Sequence, residues 1–471
     1  MNDFVFPDPA PRKIDPSLRP ATRPDGSPDD NDRVEIGPTP LAFAEWAAAG
    51  IACPDLTTMR RYRLNRIVAA LRERQLDGVL IYDPLSIRYA TDTTNMQLWA
   101  AHNPFRACLV TADGHMILWD YDGYDFLSAY NPLVREVRGG ASFFYFQNGD
   151  RTEEMAAAFA DQLDGILAAR CGKSRRLAID KIQIAGLRAL DAKGFQIFNG
   201  EEVMEKARAV KGPDEIAAMR CAIHACEASV AEMRKAARPG VTENDVWSVL
   251  HAENIKRGGE WIETRILSSG PRTNPWFQEC GPRIIGNNEI LAWDTDLIGS
   301  YGMCVDISRS WFIGDGQPEP EMRRLHAIAH EHITANMQEI RPGVTFRELC
   351  HRGHHLAPEF LKNRYTRFHG VGLCDEWPRI PHPIDWDSSG YDGVLQEGMV
   401  LCVEAYIGSE NGPYGIKLED QVLVTADGCE NLTFCPFDEK LISISGSNRP
   451  SPSLTRDPKF QAQSPNSSLG S

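Results

Sequence analysis

The chain has 471 residues, 42% of them hydrophobic and 24% charged, with a formal net charge of -15 at pH 7. That length exceeds one ordinary core and implies two folded units plus tails. The acidic balance argues against a nucleic-acid partner, which needs cations to displace counterions from phosphates, and no apolar run reaches the roughly 18–20 residues of a membrane span.

The opening stretch MNDFVFPDPAP has no basic n-region and no apolar h-region, so no secretory signal is expected. Twelve scattered cysteines, with no Cys-x-x-Cys pair, read as reduced thiols of a cytoplasmic enzyme rather than a disulfide scaffold or zinc site. Residues 1–45, rich in Pro, Asp and Arg, are expected to form an extended arm. Residues 446–471, rich in Ser, Pro and Asn, are expected to be a disordered tail.

Between these ends, helical spacing runs from Met59 to Arg74, and Gly78 to Tyr82 reads as a strand. Ala107 to Leu118 reads as a hairpin turning at Ala112-Asp113-Gly114. A helix over Glu153–Ala169 and a strand over Arg176–Asp180 follow. This alternation predicts a small α/β domain over residues 46–205. Residues 206–445 form the second domain: helical from about Glu201 to Lys256, then strands around LSSG and ILAWDTDL, helix near Glu321–Ile340, and two late strands, MVLCVEAYI and GIKLEDQVLVT. Within it Arg238-Pro239-Gly240-Val241-Thr242 recurs as Arg341-Pro342-Gly343-Val344-Thr345. Each copy stops one helix and starts another at a Thr cap, the second with the full capping box to Glu348. A duplicated half-domain, with a site at the seam, is the reading that explains both copies.

The chemistry-bearing residues are acids on apolar strands. Asp294 and Asp296 stand two apart, which on a strand puts them on one face. Asp306 follows a turn containing Gly299 and Gly302, so a hairpin would return it to the pair. Glu404 sits within LCVEAYI and Glu419 within IKLEDQVLV. A carboxylate in an apolar strand is costly unless paired or metal-bound. Arg309 could pair with one of them but not with five. One or two divalent cations resolve the repulsion at least cost. His369, flanked by Gly370 and Gly372, is the candidate imidazole ligand. His326 and His330 lack the Glu of a zinc helix, and His351, His354 and His355 have no carboxylate partner signal, so both groups read as ordinary core or surface histidines.

With WDTD, VDISRS, FHGVG, VEAYIG and KLEDQVLVTADGCENLT in this order, and KGPDEIAAMR at 211–220, the chain resembles the metallopeptidase family of methionine aminopeptidase, aminopeptidase P and prolidase, whose fold is shared with creatinase. The resemblance implies an α/β (α+β) architecture: a creatinase-like N-terminal domain followed by a pseudo-two-fold pita-bread catalytic domain. It maps the five family metal ligands onto Asp294, Asp306, His369, Glu404 and Glu419. Departures are informative. Where peptidases of the family carry His-Glu-x-Pro, this chain reads Asp375-Glu376-Trp377-Pro378. The stretch at 272–285 lacks the further histidine that normally precedes the first metal aspartate. One extra residue between Asp294 and Asp306 brings in Asp296 as an added carboxylate.

These departures, with NMQLWAAHNPFRA at 95–107 and FHGVGLCDEWPRIPHP, are similar to the DddP-type dimethylsulfoniopropionate lyases, a non-peptidase branch of the family. That resemblance implies two divalent metals, with iron expected and zinc or manganese as alternatives. It further implies a zwitterionic small-molecule substrate, a homodimer, and Asp375 as the base of a β-elimination. Trp99, Phe105 and Trp377 are the candidate aromatic contacts for the sulfonium, the first two acting across the dimer. A proline-directed peptidase and a non-catalytic binding protein are the alternatives.

Overall fold

The computed structural model describes residues 36–172 and 174–442. The expected tail over 446–471 and most of the expected arm lie outside the described residues. The last part of that arm is helical: Pro40–Ala49 starts at a Thr39 cap with proline in its first turn, and it buries Trp46.

In the N-terminal unit, Asp55 caps Leu56–Glu73 by accepting the Thr57 and Thr58 N–H groups at 2.8 and 3.1 Å. Its apolar face (Met59, Ile67, Leu71) packs into the core. The six strands run in the order Val134–Arg138, Met116–Trp119, Ala107–Thr111, Gly78–Ile81, Arg176–Ile179, Gln196–Asn199. The predicted hairpin is present, with Gly114 taking the left-handed turn position. This sheet and the helices around it are of α/β type, as expected.

The predicted long helical region divides into Gly200–Arg208, Pro213–Ala236 and Glu243–Lys256. Gly212-Pro213 breaks the first from the second, and the first RPGVT copy breaks the second from the third. Both copies carry a capping box, Thr242 with Asp245 as well as Thr345 with Glu348; the first was missed because Asp stands where Glu or Gln is usual. They also make the same backbone contacts. Gly240 donates to Ile285 and receives Ile285 N–H back at Val241; Gly343 and Val344 do the same with Leu395. The repeat is therefore structural as well as textual.

The catalytic unit is built on a sheet in the order Asp375–Ile380, Phe368–Val371, Val400–Ile407, Ile416–Val424, Ser308–Ile313, Glu289–Asp294, Leu267–Ser269, with Cys429–Asn431 pairing Ile416–Val424. Adjacent strands are antiparallel throughout. Cys304–Val305, Leu297–Ile298 and Trp261–Ile262 form a separate three-stranded ribbon.

One ion network ties the two units together beside the future site. Glu376, whose side chain is fully buried, meets Arg208 Nε and Lys211 Nζ, each at 3.0 Å, and accepts the Leu373 N–H. Arg208 also donates to Ser86 in the N-terminal unit at 2.8 Å. Against its burial, Lys211 and Arg208 hold the Glu376 carboxyl below its usual range. The turn from Leu373 to Trp377 is thereby fixed on the connecting helix. Removing one partner of such a buried set leaves uncompensated charge and costs about 3–5 kcal/mol. Glu376→Ala is expected to lower Tm by many degrees, while the exposed Glu397→Ala leaves it near wild type; scanning calorimetry giving equal Tm values would contradict the assignment.

Candidate metal centre

Register alone assembles the acids. Ser308 stands opposite both Asp294 and Glu419, and Glu419 stands opposite Glu404. Four side chains on four strands therefore share one line across one face of the sheet. Asp306 lies two residues before Ser308 at the start of its strand. His369 pairs with Cys402, two residues from Glu404. A Cβ on Gly370 would come within 2.5 Å of the Trp377 carbonyl, so glycine is what allows the His369 strand to lie this close to its neighbour.

Asp294 and Asp296 are not two positions of one strand, as period-two spacing suggests. The strand ends at Asp294, and Asp296 takes a left-handed backbone, φ 36°. Thr264 fixes it by donating to Oδ2 at 2.7 Å. Asp296 still reaches the cluster, by a turn in the backbone rather than by strand alternation. Ligand atoms of Asp296, Asp306 and Asp375 lie within 4.8 Å of one another, and so do those of Asp306, His369, Cys402 and Glu419. His369 Nε2 is 3.3 Å from Glu419, 3.5 Å from Asp306 and 3.6 Å from Glu404. Arg309 pairs with Asp420 at 2.6 Å, outside the cluster.

Lys417, two residues before Glu419 and fully buried, was not singled out in the sequence. Its ammonium lies 2.9 Å from Asp294, 3.0 Å from Glu404 and 2.6 Å from Glu419. The signal was available: a lysine at period two from a buried acid must share its face. Ser308 was also missed; it donates within this knot, 2.8 Å from Asp294 and 2.7 Å from Glu419.

The electrostatics are those of acids short of cations. Burial first, then Glu419 and Asp294, push Asp306 far above the usual carboxylate range; burial and Asp294 do the same to Asp296. Glu404 is raised to about 8 by burial, against the pull of Lys417. Glu419 moves down, because Lys417 and His369 outweigh its burial. His369 moves up despite burial, held by Asp375, Glu419 and Glu404. Buried Asp306 Oδ1 and Glu404 Oε1 have no hydrogen-bond partner within the protein. Orphaned oxygens of this kind, beside an imidazole and further carboxylates, fit hard or borderline divalent cations.

Asp375 stands at the open side, half exposed, with Oδ1 3.5 Å from His369 Nδ1. Burial and nearby acids raise its carboxyl, with His369 opposing them. The proposed aromatics have partners of their own within the protomer. Trp99 and Phe105 pack on each other at 5.4 Å in an aromatic cluster with Phe144 and Tyr121 in the N-terminal unit. Trp377 has Lys206 Nζ 3.2 Å from its ring centroid and Phe346 against it at 5.1 Å, so an ammonium of the chain itself already holds that ring. Burial first, and then Glu404, push the Tyr365 phenol up.

Comparison with known proteins identifies the family. Residues 63–210 match the creatinase/prolidase N-terminal domain and residues 217–426 metallopeptidase family M24. The chain is 60% identical, over 92% of its length and 98% of the relative's, to dimethylsulfoniopropionate lyase DddP of Roseovarius nubinhibens. Identity to the DddP of Roseobacter denitrificans is 56%, with the same coverage. The chain belongs to the DddP branch of the M24 family. Among solved structures, this DddP-branch fold is similar to an Xaa-Pro dipeptidase from Bacillus anthracis (TM-score 0.65, 21% identity, 80% of this chain and 99% of that one). It is also similar to an X-Pro aminopeptidase from Thermotoga maritima (0.62, 21%, 80% and 98%).

Lys417 is the one ammonium these acids contact among the described residues; bound cations would share that neutralisation. The rise in Tm on adding divalent metal to chelator-treated protein should therefore be larger in Lys417→Met than in wild type. An equal or smaller rise would show that Lys417 does not share the charge balance.

Proposed function

We propose that the protein cleaves dimethylsulfoniopropionate to dimethyl sulfide and acrylate by β-elimination, at the Asp294–Glu419 cluster. The observation that carries this reading is 60% identity across 92% of the chain with a dimethylsulfoniopropionate lyase, against 25% with uncharacterised peptidases. The replacement of two peptide-handling histidines supports it.

Asp294, Asp296, Asp306, His369, Glu404 and Glu419 are the residues that would hold two divalent ions, with iron as the metal we favour. When bound, the ions supply Lewis-acid stabilisation for negative charge on a substrate carboxylate. Asp375 takes the proton from the α-carbon, the Cα–H electron pair becomes the new C=C bond, and the Cβ–S bond breaks with its electrons leaving on sulfur. Dimethyl sulfide departs neutral and needs no proton, so one base suffices. The half-exposed carboxyl of Asp375 can then return its proton to solvent. Lys417 and Ser308 orient Asp294 and Glu419 throughout.

A homodimer completes this reading. Met96, Leu98, Tyr145 and Phe146 are 52%, 62%, 70% and 81% exposed. They adjoin the Trp99–Phe105–Phe144 cluster, an apolar surface of a kind that oligomers cover. On the partner, Trp99 would face this protomer's site, with Phe105 packed behind it. Twelve unpaired thiols favour a cytoplasmic setting.

Purified metal-loaded protein should release dimethyl sulfide into the head-space and leave an Xaa-Pro dipeptide intact; the reverse result would make it a peptidase. Asp375→Asn should keep metal content and substrate affinity while turnover falls about 100-fold or more. Loss of metal with that substitution would instead make Asp375 a support for His369, and near-normal turnover would place the base elsewhere. Sedimentation at assay concentration should show a dimer; an active monomer would refute the cross-subunit contribution.

A further inference from the structure

We propose that Cys53 and Cys221 are a site of reversible oxidation: a peroxide converts them to a disulfide that fastens the segment before Leu56 to the helix Pro213–Ala236.

Among the described residues Cys53 is the one exposed cysteine, and Cys221 is fully buried. Cys221 Sγ donates to the Ala52 carbonyl at 3.7 Å, the backbone group directly before Cys53. The two thiols lie within hydrogen-bonding reach of each other, and the Tyr301 phenol is within reach of Cys53. The backbone on both sides of the pair is held. Trp46 donates from its indole to the Cys221 carbonyl at 2.9 Å and stacks on Tyr301, ring centroids 5.7 Å apart. The Ile51 N–H donates to the Trp46 carbonyl at 2.9 Å. Beyond Cys53, the Asp55 N–H donates at 2.8 Å to Asp214, in the first turn of the Cys221 helix. A disulfide tolerates little error in the placement of its two backbones. A segment pinned two residues to either side of Cys53 keeps that sulfur at its neighbour.

The two thiols differ in a way that assigns their roles. Exposure makes Cys53 the sulfur an oxidant reaches first. Burial first, and then Cys53, push the Cys221 thiol up, so it stands by as the neutral partner. The Cys53 thiol gives up its proton and its sulfur attacks hydrogen peroxide: an S–O bond forms, the O–O bond breaks, and the departing hydroxide takes that proton and leaves as water. The Cys221 sulfur then attacks the sulfenic acid on Cys53. The S–S bond forms, the S–O bond breaks, and the Cys221 proton leaves with the hydroxide as a second water. Two thiols are oxidised and one peroxide is reduced. An exposed cysteine without such a neighbour goes on to the irreversible sulfinic and sulfonic acids; a thiol in contact diverts it to a product that reductant can reverse. The closed loop spans the whole N-terminal sheet, so the link ties that unit to the catalytic one and restrains the unfolded chain.

The test maps cysteines in full-length protein treated with hydrogen peroxide under native conditions, then alkylated in denaturant and digested without reductant. The Cys53 and Cys221 peptides should appear as one linked species, about 2 Da lighter than the two together, and dithiothreitol should separate them. In Cys221→Ser the same treatment should leave Cys53 as a sulfenic acid that dimedone traps, while Cys53→Ser should give neither product. Peroxide should raise Tm by several degrees over the reduced form in wild type and in neither serine variant. Wild-type Cys53 recovered unmodified, over-oxidised or linked to a different cysteine, with Cys221 alkylated, overturns the proposal.

Discussion

Repulsion among buried carboxylates is the constraint on which the catalytic unit depends. Asp294, Glu404 and Glu419 lie on adjacent strands of one sheet in cross-strand register, with Ser308 between two of them. Asp306, Asp296 and Asp375 close on the same space from turns and a strand start. At van der Waals separations in a poorly polarisable interior, like charges cost more than any backbone hydrogen bond returns. The fold tolerates them by three devices. Lys417 neutralises one charge from beneath, His369 takes up hydrogen bonding from the side, and unpartnered oxygens on Asp306 and Glu404 are left for cations.

The surroundings make that arrangement rigid. The turn bearing Asp375, the base we propose, is fastened through Glu376 to Arg208 and Lys211 at the seam between the two units. Asp296 is fastened by Thr264. Asp375, half exposed, thus stands next to the fully buried Glu376, which is how a turn can hold a side chain in place.

Much of this was legible in the sequence. Acids in apolar strands pointed to an acid cluster and the paired RPGVT turns to a repeated unit, while the ordered motifs carried the resemblance that implied the fold. What the sequence concealed has physical causes. Asp296 looked like a strand neighbour of Asp294, because spacing cannot reveal a left-handed turn at a non-glycine residue. Lys417 has the side chain of an ordinary surface lysine, and only its spacing of two from Glu419 places its ammonium on the buried face. Trp377 read as a free aromatic because its partner, Lys206, is distant in sequence. Trp99 and Phe105 cluster with each other in the N-terminal unit.

The central claim is that this cluster of acids works only when divalent cations compensate it. The most direct measurement is anaerobic titration of chelator-treated protein with ferrous iron, following dimethyl sulfide release and bound metal together. The account predicts no release from metal-free protein and a rise in activity that levels off at about two ions per chain. Full turnover by protein holding only trace metal would contradict it.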